Sequence, residues 1–249
     1  NHMASAFIRD EITLLPERLR LNLGSRFDHN DFTGMEIQPN ARLMWTPDNQ
    51  NSIWLAVSRA VRIPSRAEND ILLNTRTLNA LPGFSLLPPF PVLAQLAGSS
   101  NFNSEKLIAY EMGYRHQFSP QASVDISGFY NDYSQLRDLS VGFPLFHTSF
   151  PPHLILPVGL TNKASGQTYG VEASVEWKPT GKWRLQGNYS YLNMNIHSDS
   201  VLKQIDPATG SANKVSPQHH VSVRSHYDFS DKLQLNLWLR YVSGVDFYR

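Results

Sequence analysis

The sequence predicts an all-β fold, an antiparallel up-and-down transmembrane β-barrel present as an incomplete section of about ten strands. Three observations predict it: apolar residues recur with a period of two, short turns alternate with long connections, and aromatics gather where the strands end. The period is clearest from Leu233 to Tyr241, where every odd residue is apolar and three of the four even ones are polar or charged. Leu19, Leu21 and Leu23 alternate with Arg18, Arg20 and Asn22; Val171, Ala173, Val175 and Trp177 alternate with Glu172, Ser174, Glu176 and Lys178. Ile108, Tyr110, Met112 and Tyr114 alternate with Glu111, Gly113 and Arg115. A strand sends successive side chains to opposite faces, so each of these segments has one apolar and one polar face.

Ten segments carry this pattern: 5–15, 18–30, 37–46, 52–62, 105–117, 122–136, 166–178, 182–195, 218–229 and 232–245. Short turns close them in pairs at Pro16, Pro47-Asp48-Asn49, Ser119-Pro120-Gln121, Pro179-Thr180-Gly181 and Ser230-Asp231. These residues set turn dihedrals or bond the local backbone through their side chains. Longer connections lie between, at 31–36, 63–104, 138–165 and 196–217. Short turns on one rim and long loops on the other are the pattern of outer-membrane barrels, with the short turns periplasmic. The strands are long enough to cross a bilayer at a tilt of about 45°. Trp45, Trp54, Phe118, Trp177 and Trp183 lie beside the short turns, and Tyr130, Tyr133, Tyr189, Tyr191 and Tyr241 towards the long loops, as two membrane interfaces require. A soluble sandwich could use the same apolar faces for its core, but its loops seldom alternate so regularly in length.

Composition narrows the function. The 22 basic and 21 acidic residues nearly cancel, which gives no field for nucleic acid. The absence of cysteine excludes a disulfide framework and a thiolate metal site. No apolar run approaches the length of a transmembrane helix. The mean hydropathy of −0.34 would suit a soluble protein, yet barrel strands are apolar on one face only. No Gly-x-Ser-x-Gly, His-Glu-x-x-His or phosphate-binding glycine loop is present, and Asp70, Asp125, Asp132 and Asp138 are scattered, so no catalytic residues are assigned.

The phase of the turns predicts a section of a larger barrel. The first strand enters a short turn and the tenth leaves one, which puts both ends at the outer rim, whereas complete barrels of this class keep their termini in the periplasm. No secretory signal opens the chain, so an exported protein would have lost one or be cut from a longer chain. Excised edges would also be unpaired.

Ser58-Arg-Ala-Val-Arg-Ile-Pro-Ser-Arg66 leads from a strand into a long loop, and Asn103-Ser-Glu-Lys precedes Ala109-Tyr-Glu-Met-Gly-Tyr-Arg115. Phe129-Tyr-Asn-Asp-Tyr-Ser-Gln-Leu136 follows, and Phe7 to Ile12 with Leu21 to Asp28 form an earlier hairpin. In order and spacing this set resembles the TonB-dependent outer-membrane receptors. The resemblance implies a barrel of about twenty-two strands filled by an N-terminal plug, in the outer membrane of a Gram-negative bacterium. It implies residues 1–249 as part of that barrel, around strands ten to nineteen, with the plug and the closing strands outside it. Its implied partners are the TonB complex acting through the plug, outer-membrane lipid, and a small scarce ligand, a ferric siderophore above all; no nucleic acid and no cofactor is implied. A complete ten-stranded outer-membrane protease and a passive porin-like channel are the alternatives.

Candidate ligand contacts lie where strands enter loops. Arg59, Arg62, Arg66 and Arg76 cluster at the exit into 63–104, and guanidinium groups suit anionic, often catecholate, ligands. The same arginines could instead pair with acids across the wall. His147 and His153 in loop 138–165 are further contact candidates. His219 and His220 are sequence neighbours and so point to opposite faces, awkward for joint chelation; no metal site is assigned. Haem receptors of the family usually carry a His in the loop after the Arg-rich strand end, and 63–104 has none, which argues against haem. Residues 81–97 and 143–160 are unusually apolar, as a binding surface or a loop-on-loop contact would be.

Overall fold

The computed structural model describes residues 2–78, 91–198 and 216–245, without the side chains of Arg76 and Leu78. All ten expected strands form, and they pair in sequence order along one antiparallel path. They are β1 (Met3–Leu15), β2 (Leu19–Asn30), β3 (Gly34–Trp45), β4 (Asn51–Arg62), β7 (Glu105–Ser119), β8 (Ala122–Val141), β10 (His153–Thr180), β11 (Trp183–His197), β12 (His219–Ser230) and β13 (Leu233–Val242). Three short strands lie off this path: β5 (Leu72–Leu78), β6 (Val92–Ala97) and β9 (Leu145–His147). One helix, α1 (Arg66–Asp70), completes the described elements.

Register separates the faces. Directly opposite residues share a face, so Ile12, Leu21, Leu43, Leu55, Met112, Gly128, Val171 and Tyr191 form one nearly apolar row across eight strands. Ser52, Arg115, Asp125, Ser174, Asn188, Ser222 and Arg240 form a wholly polar row on the other face. The apolar row is not packed against protein: Leu55 and Met112 are exposed, as are Leu237 and Leu239 further along the sheet. A large soluble sheet would bury such a face under a second layer. Among the described residues the buried aliphatic cluster is small, Val92, Leu154 and Leu156 with Val141 beside it, and it sits on β6 and the extensions of β8 and β10 at one rim.

Trp45, Trp177 and Trp183 share the apolar face, as an interface girdle demands, but Trp54 does not. Its ring lies over Gly113, where a Cβ would come within 2.3 Å of the indole nitrogen, and Arg42 stacks on the ring at 4.3 Å. The glycine makes a seat for the indole on the polar face.

The connections are more ordered than their sequence suggests. The expected stretch 31–36 is a three-residue turn, because the Asn30 carboxamide accepts from the backbone of Phe32 and Thr33, both at 2.9 Å, and Gly34 takes a positive φ of 74°. Stretch 138–165 is largely strand, since β8 extends to Val141 and β10 begins at His153. The β8 extension, Asp138 to Val141, keeps the alternation, whereas the start of β10 does not alternate and is stabilised by long-range pairing with β6. Stretch 63–104 contains α1, β5 and β6. Of the apolar stretch 81–97, residues 81–90 lie outside the described residues, as do 199–215 of the connection 196–217.

Candidate functional site

The two longest described connections interlock at the rim opposite the short turns. β5 and β6 form a hairpin, and β6 adds in parallel to the start of β10, pairing Leu154 to Gly159 with Val92 to Ala97. β9 folds back on the other side of β10. The apolar residues of the two stretches therefore pack on each other in the described part, which is the loop-on-loop outcome for Val92, Leu154 and Leu156. Phe143 and Phe150, at 89% and 96% exposure, remain outside that contact.

A polar clamp secures the same union. The Asn162 side chain accepts from Asn103 N at 2.7 Å, and its amide donates to Asn103 O at 3.0 Å and Gln135 O at 2.9 Å. Nearby, Ser104 is almost fully buried and donates to Thr33 at 3.1 Å, tying the start of β7 to the β2–β3 turn.

The strand exit at Arg62 is a charge network. Arg62 is paired directly with Glu105 across β4 and β7, and grips both its oxygens at 2.7 and 2.8 Å. It also grips both oxygens of Glu68 at 2.7 and 3.1 Å. Arg137 donates its backbone N–H to Glu105 at 2.9 Å and brings its guanidinium to 3.5 Å from Glu68. Glu68 belongs to α1. It is the third residue after the Ser65 cap, and the two close a reciprocal capping box. Its carboxylate also accepts from the Ser65 backbone N–H at 2.8 Å and from the Ser65 hydroxyl at 3.1 Å. The Arg62 guanidinium, with help from these Ser65 donors, outweighs burial and holds the Glu68 carboxyl down at about 2. Carbonyls of α1 and its C-cap then accept from the chain leaving β6: Gly98 N–H bonds Ile71 O at 2.7 Å and Ser99 N–H bonds Glu68 O at 2.9 Å. The approach is so close that a Cβ on Gly98 would lie 2.6 Å from the Asn69 carbonyl.

The six expected contact residues thus fall into separate environments. Arg62 is held between two carboxylates. Arg59 bonds the Ile37 carbonyl and lies 3.4 Å from Glu36. Arg66 is exposed on α1, with a loose contact to Asp70 at 3.7 Å. Arg76 is on β5, and its side chain lies outside the described residues. His147 and His153 are brought together, directly opposite across β9 and β10, with stacked rings 5.1 Å apart. Glu68, Glu105 and Arg137 were not singled out from sequence. The Ser-x-x-Glu signature at Ser65–Glu68 was the one local signal for Glu68; Arg137 required the β7–β8 pairing. No group of three or more metal-ligating side chains occurs among the described residues.

These features define a class: the wall of a large antiparallel barrel whose long connections form a built platform at one rim. The chain belongs to the TonB-dependent receptor β-barrel family; the family model described as "TonB dependent receptor-like, beta-barrel" matches residues 1–249. Among solved structures it is similar to the siderophore receptor PirA from Acinetobacter baumannii, at 18% identity and a TM-score of 0.73, over 95% of this chain and 32% of that one. It is similar to PirA from Pseudomonas aeruginosa at 17% identity and 0.71, over 98% and 40%. A mutant of the ferric enterobactin receptor PfeA from Pseudomonas aeruginosa matches at 17% identity and 0.76, over 96% and 32%. The chain therefore spans about a third of the length of these receptors. A comparison with curated protein sequences gives no match. The family and these neighbours are receptors, not enzymes, and the protease alternative gains nothing from them.

Proposed function

We propose that the chain forms the middle of the barrel wall of a receptor in the outer membrane of a Gram-negative bacterium, which takes up a ferric siderophore with energy delivered by TonB through an N-terminal plug of the parent protein. The observation that carries this reading is the platform itself: α1, β5, β6, β9 and the extensions of β8 and β10 joined at the rim away from the short turns. The uncovered apolar face supports contact with lipid, because a row such as Leu21, Leu43, Leu55 and Met112 has no other apolar medium to enter. The family match supports dependence on TonB.

Within this reading the arginines divide the work. Arg66, exposed on the platform, meets an anionic ligand directly through charge-assisted hydrogen bonds. Arg59 near the end of β4, Arg76 by its place on β5, and His147 and His153 across β9 and β10 are further contact candidates at the same rim. Arg62 positions α1, and with it Arg66, through Glu68 and Glu105. Binding of ferric enterobactin, an anionic tris-catecholate, to the parent receptor tests this. Arg66→Ala and the double variant Arg62→Ala/Arg66→Ala are expected to raise Kd, the double variant more. An unchanged Kd in the double variant sinks the proposed role of both.

A further inference from the structure

The tip of the β8–β10 connection holds an imidazole pair with its own local supporting bonds. His147 and His153 are a directly opposed cross-strand pair, their rings 5.1 Å apart and inclined by 27°. Nδ1 of His153 lies 2.8 Å from the Pro151 carbonyl oxygen. A carbonyl only accepts, so Nδ1 carries the proton and Nε2 of the neutral ring keeps its lone pair. Nδ1 of His147 lies 2.7 Å from the Ser149 hydroxyl, which can donate to it, and Nε2 of that ring has no hydrogen-bond partner among the described residues. Metal-ligating imidazoles are characteristically held this way, one ring nitrogen bonded to a backbone carbonyl or similar partner and the other open to the ion. Both partners, Ser149 and Pro151, come from the short segment between the two histidines, so the support is local to the pair.

We propose that His147 and His153 form a two-imidazole clamp for a divalent late-transition-metal ion, bound through Nε2 of each ring. Imidazole suits copper, nickel and zinc and not magnesium or calcium. The rings must open slightly from their stack to converge on one ion, and exposed side chains make such rotations on the ps–ns scale. No third His, Cys, Asp or Glu completes a cluster here among the described residues. The remaining coordination positions are therefore left to water or to donor atoms of an incoming molecule. The other histidine pair does not compete: His219 and His220 point to opposite faces of β12, and Nδ1 of His219 already faces the Tyr189 hydroxyl at 3.0 Å.

The test titrates the parent receptor, purified in detergent, with CuCl2, NiCl2, ZnCl2 and MgCl2 by calorimetry. The wild type is compared with His147→Ala, His153→Ala, their His→Gln counterparts, the double variant, and His226→Ala as a control. The double variant is expected to lose one equivalent of Cu2+ that His226→Ala retains. Each single variant should weaken that equivalent by roughly tenfold or more. Copper should bind tightest of the three, with no response to magnesium. Electron paramagnetic resonance of the bound Cu2+ should show two imidazole nitrogens in the wild type and one in each single variant, a signature that mere loosening of the loop would not produce. A double variant that binds as many Cu2+ equivalents as the wild type, with the same affinity and the same nitrogen couplings, overturns the clamp.

Discussion

Arg62 and Glu105 face each other across β4 and β7, and the same guanidinium that holds Glu105 at 2.7 Å holds Glu68 of α1 at 2.7 Å. The last residue of one wall strand thus joins a neighbouring strand to the platform above it. Arg62 is half-exposed, whereas Glu68 is 4% exposed and depends on that single arginine for most of its charge compensation.

Glu68→Gln keeps the shape of the capping box but removes the charge that two arginines address. It should weaken the docking of α1 by about 1–3 kcal/mol, as expected for a lost charge-assisted bond at a buried group. Hydrogen exchange checks this at two amides: Ser99 N–H, which bonds the Glu68 carbonyl, and Gly98 N–H, which bonds Ile71. Both should exchange faster while amides of β11 and β12 keep their rates.

The same carboxylate sets an acid limit on the platform. Its folded value of about 2 lies below the ordinary 4.5, so the charged form is favoured by docking. The stabilisation is complete above pH 4.5 and is lost as pH falls through about 2. Protection of Ser99 N–H, corrected for intrinsic exchange, should hold down to about pH 4.5 and then decline; a decline already complete at pH 5 would contradict the assignment to Glu68.

Gly98→Ala should separate the β6 exit from α1. The new Cβ would meet backbone atoms of Asn69 and Asp70 at 2.6 to 2.8 Å, and backbone cannot rotate aside. A local cost of about 1–3 kcal/mol is expected. Limited proteolysis after Arg66 should accelerate, with the ten-strand path intact.

Asn162→Ala removes one acceptor and two donor contacts that join the segment before β7 to β8 and β10. Asn162→Asp keeps the acceptor for Asn103 N–H and loses both donors, so its loss of thermal stability should fall between wild type and Ala. Equal losses in the two variants would mean that the retained acceptor for Asn103 N–H contributes nothing.

The two faces make opposite predictions for a buried charge. Met112→Arg, in the apolar row, should destabilise the bilayer-inserted receptor by about 2–4 kcal/mol if it lies near the midplane. Ser174→Arg, in the polar row beside Asp125 and Asn188, should change little. Denaturant titration in lipid vesicles distinguishes them, and equal effects would refute the assignment of lipid to the apolar face.

The strands were legible because their signal is local. A two-residue period such as Leu233 to Tyr241 is written within one segment, and Pro, Gly, Asn and Asp mark the turns between segments. Sequence therefore determined the ten wall strands, their order, the two faces and the family. Trp54 shows where that signal ends: the two-residue period puts it on the face opposite Leu55, but only the register sets its ring over Gly113. The platform depended on tertiary structure throughout. β6 and the start of β10 carry no alternation and become strands by pairing across some sixty residues. Sequence favours an acid over a ligand as the partner of Arg62 but names no acid; Glu68 and Glu105 take that place, one delivered by a helix and the other by a strand after a long connection. His147 and His153 became a pair only when β9 folded back on β10. Periodicity fixes a strand's faces because it acts between neighbours in the chain; which charges and rings meet above the wall is decided by contacts between segments far apart in sequence, and only the folded chain brings those together.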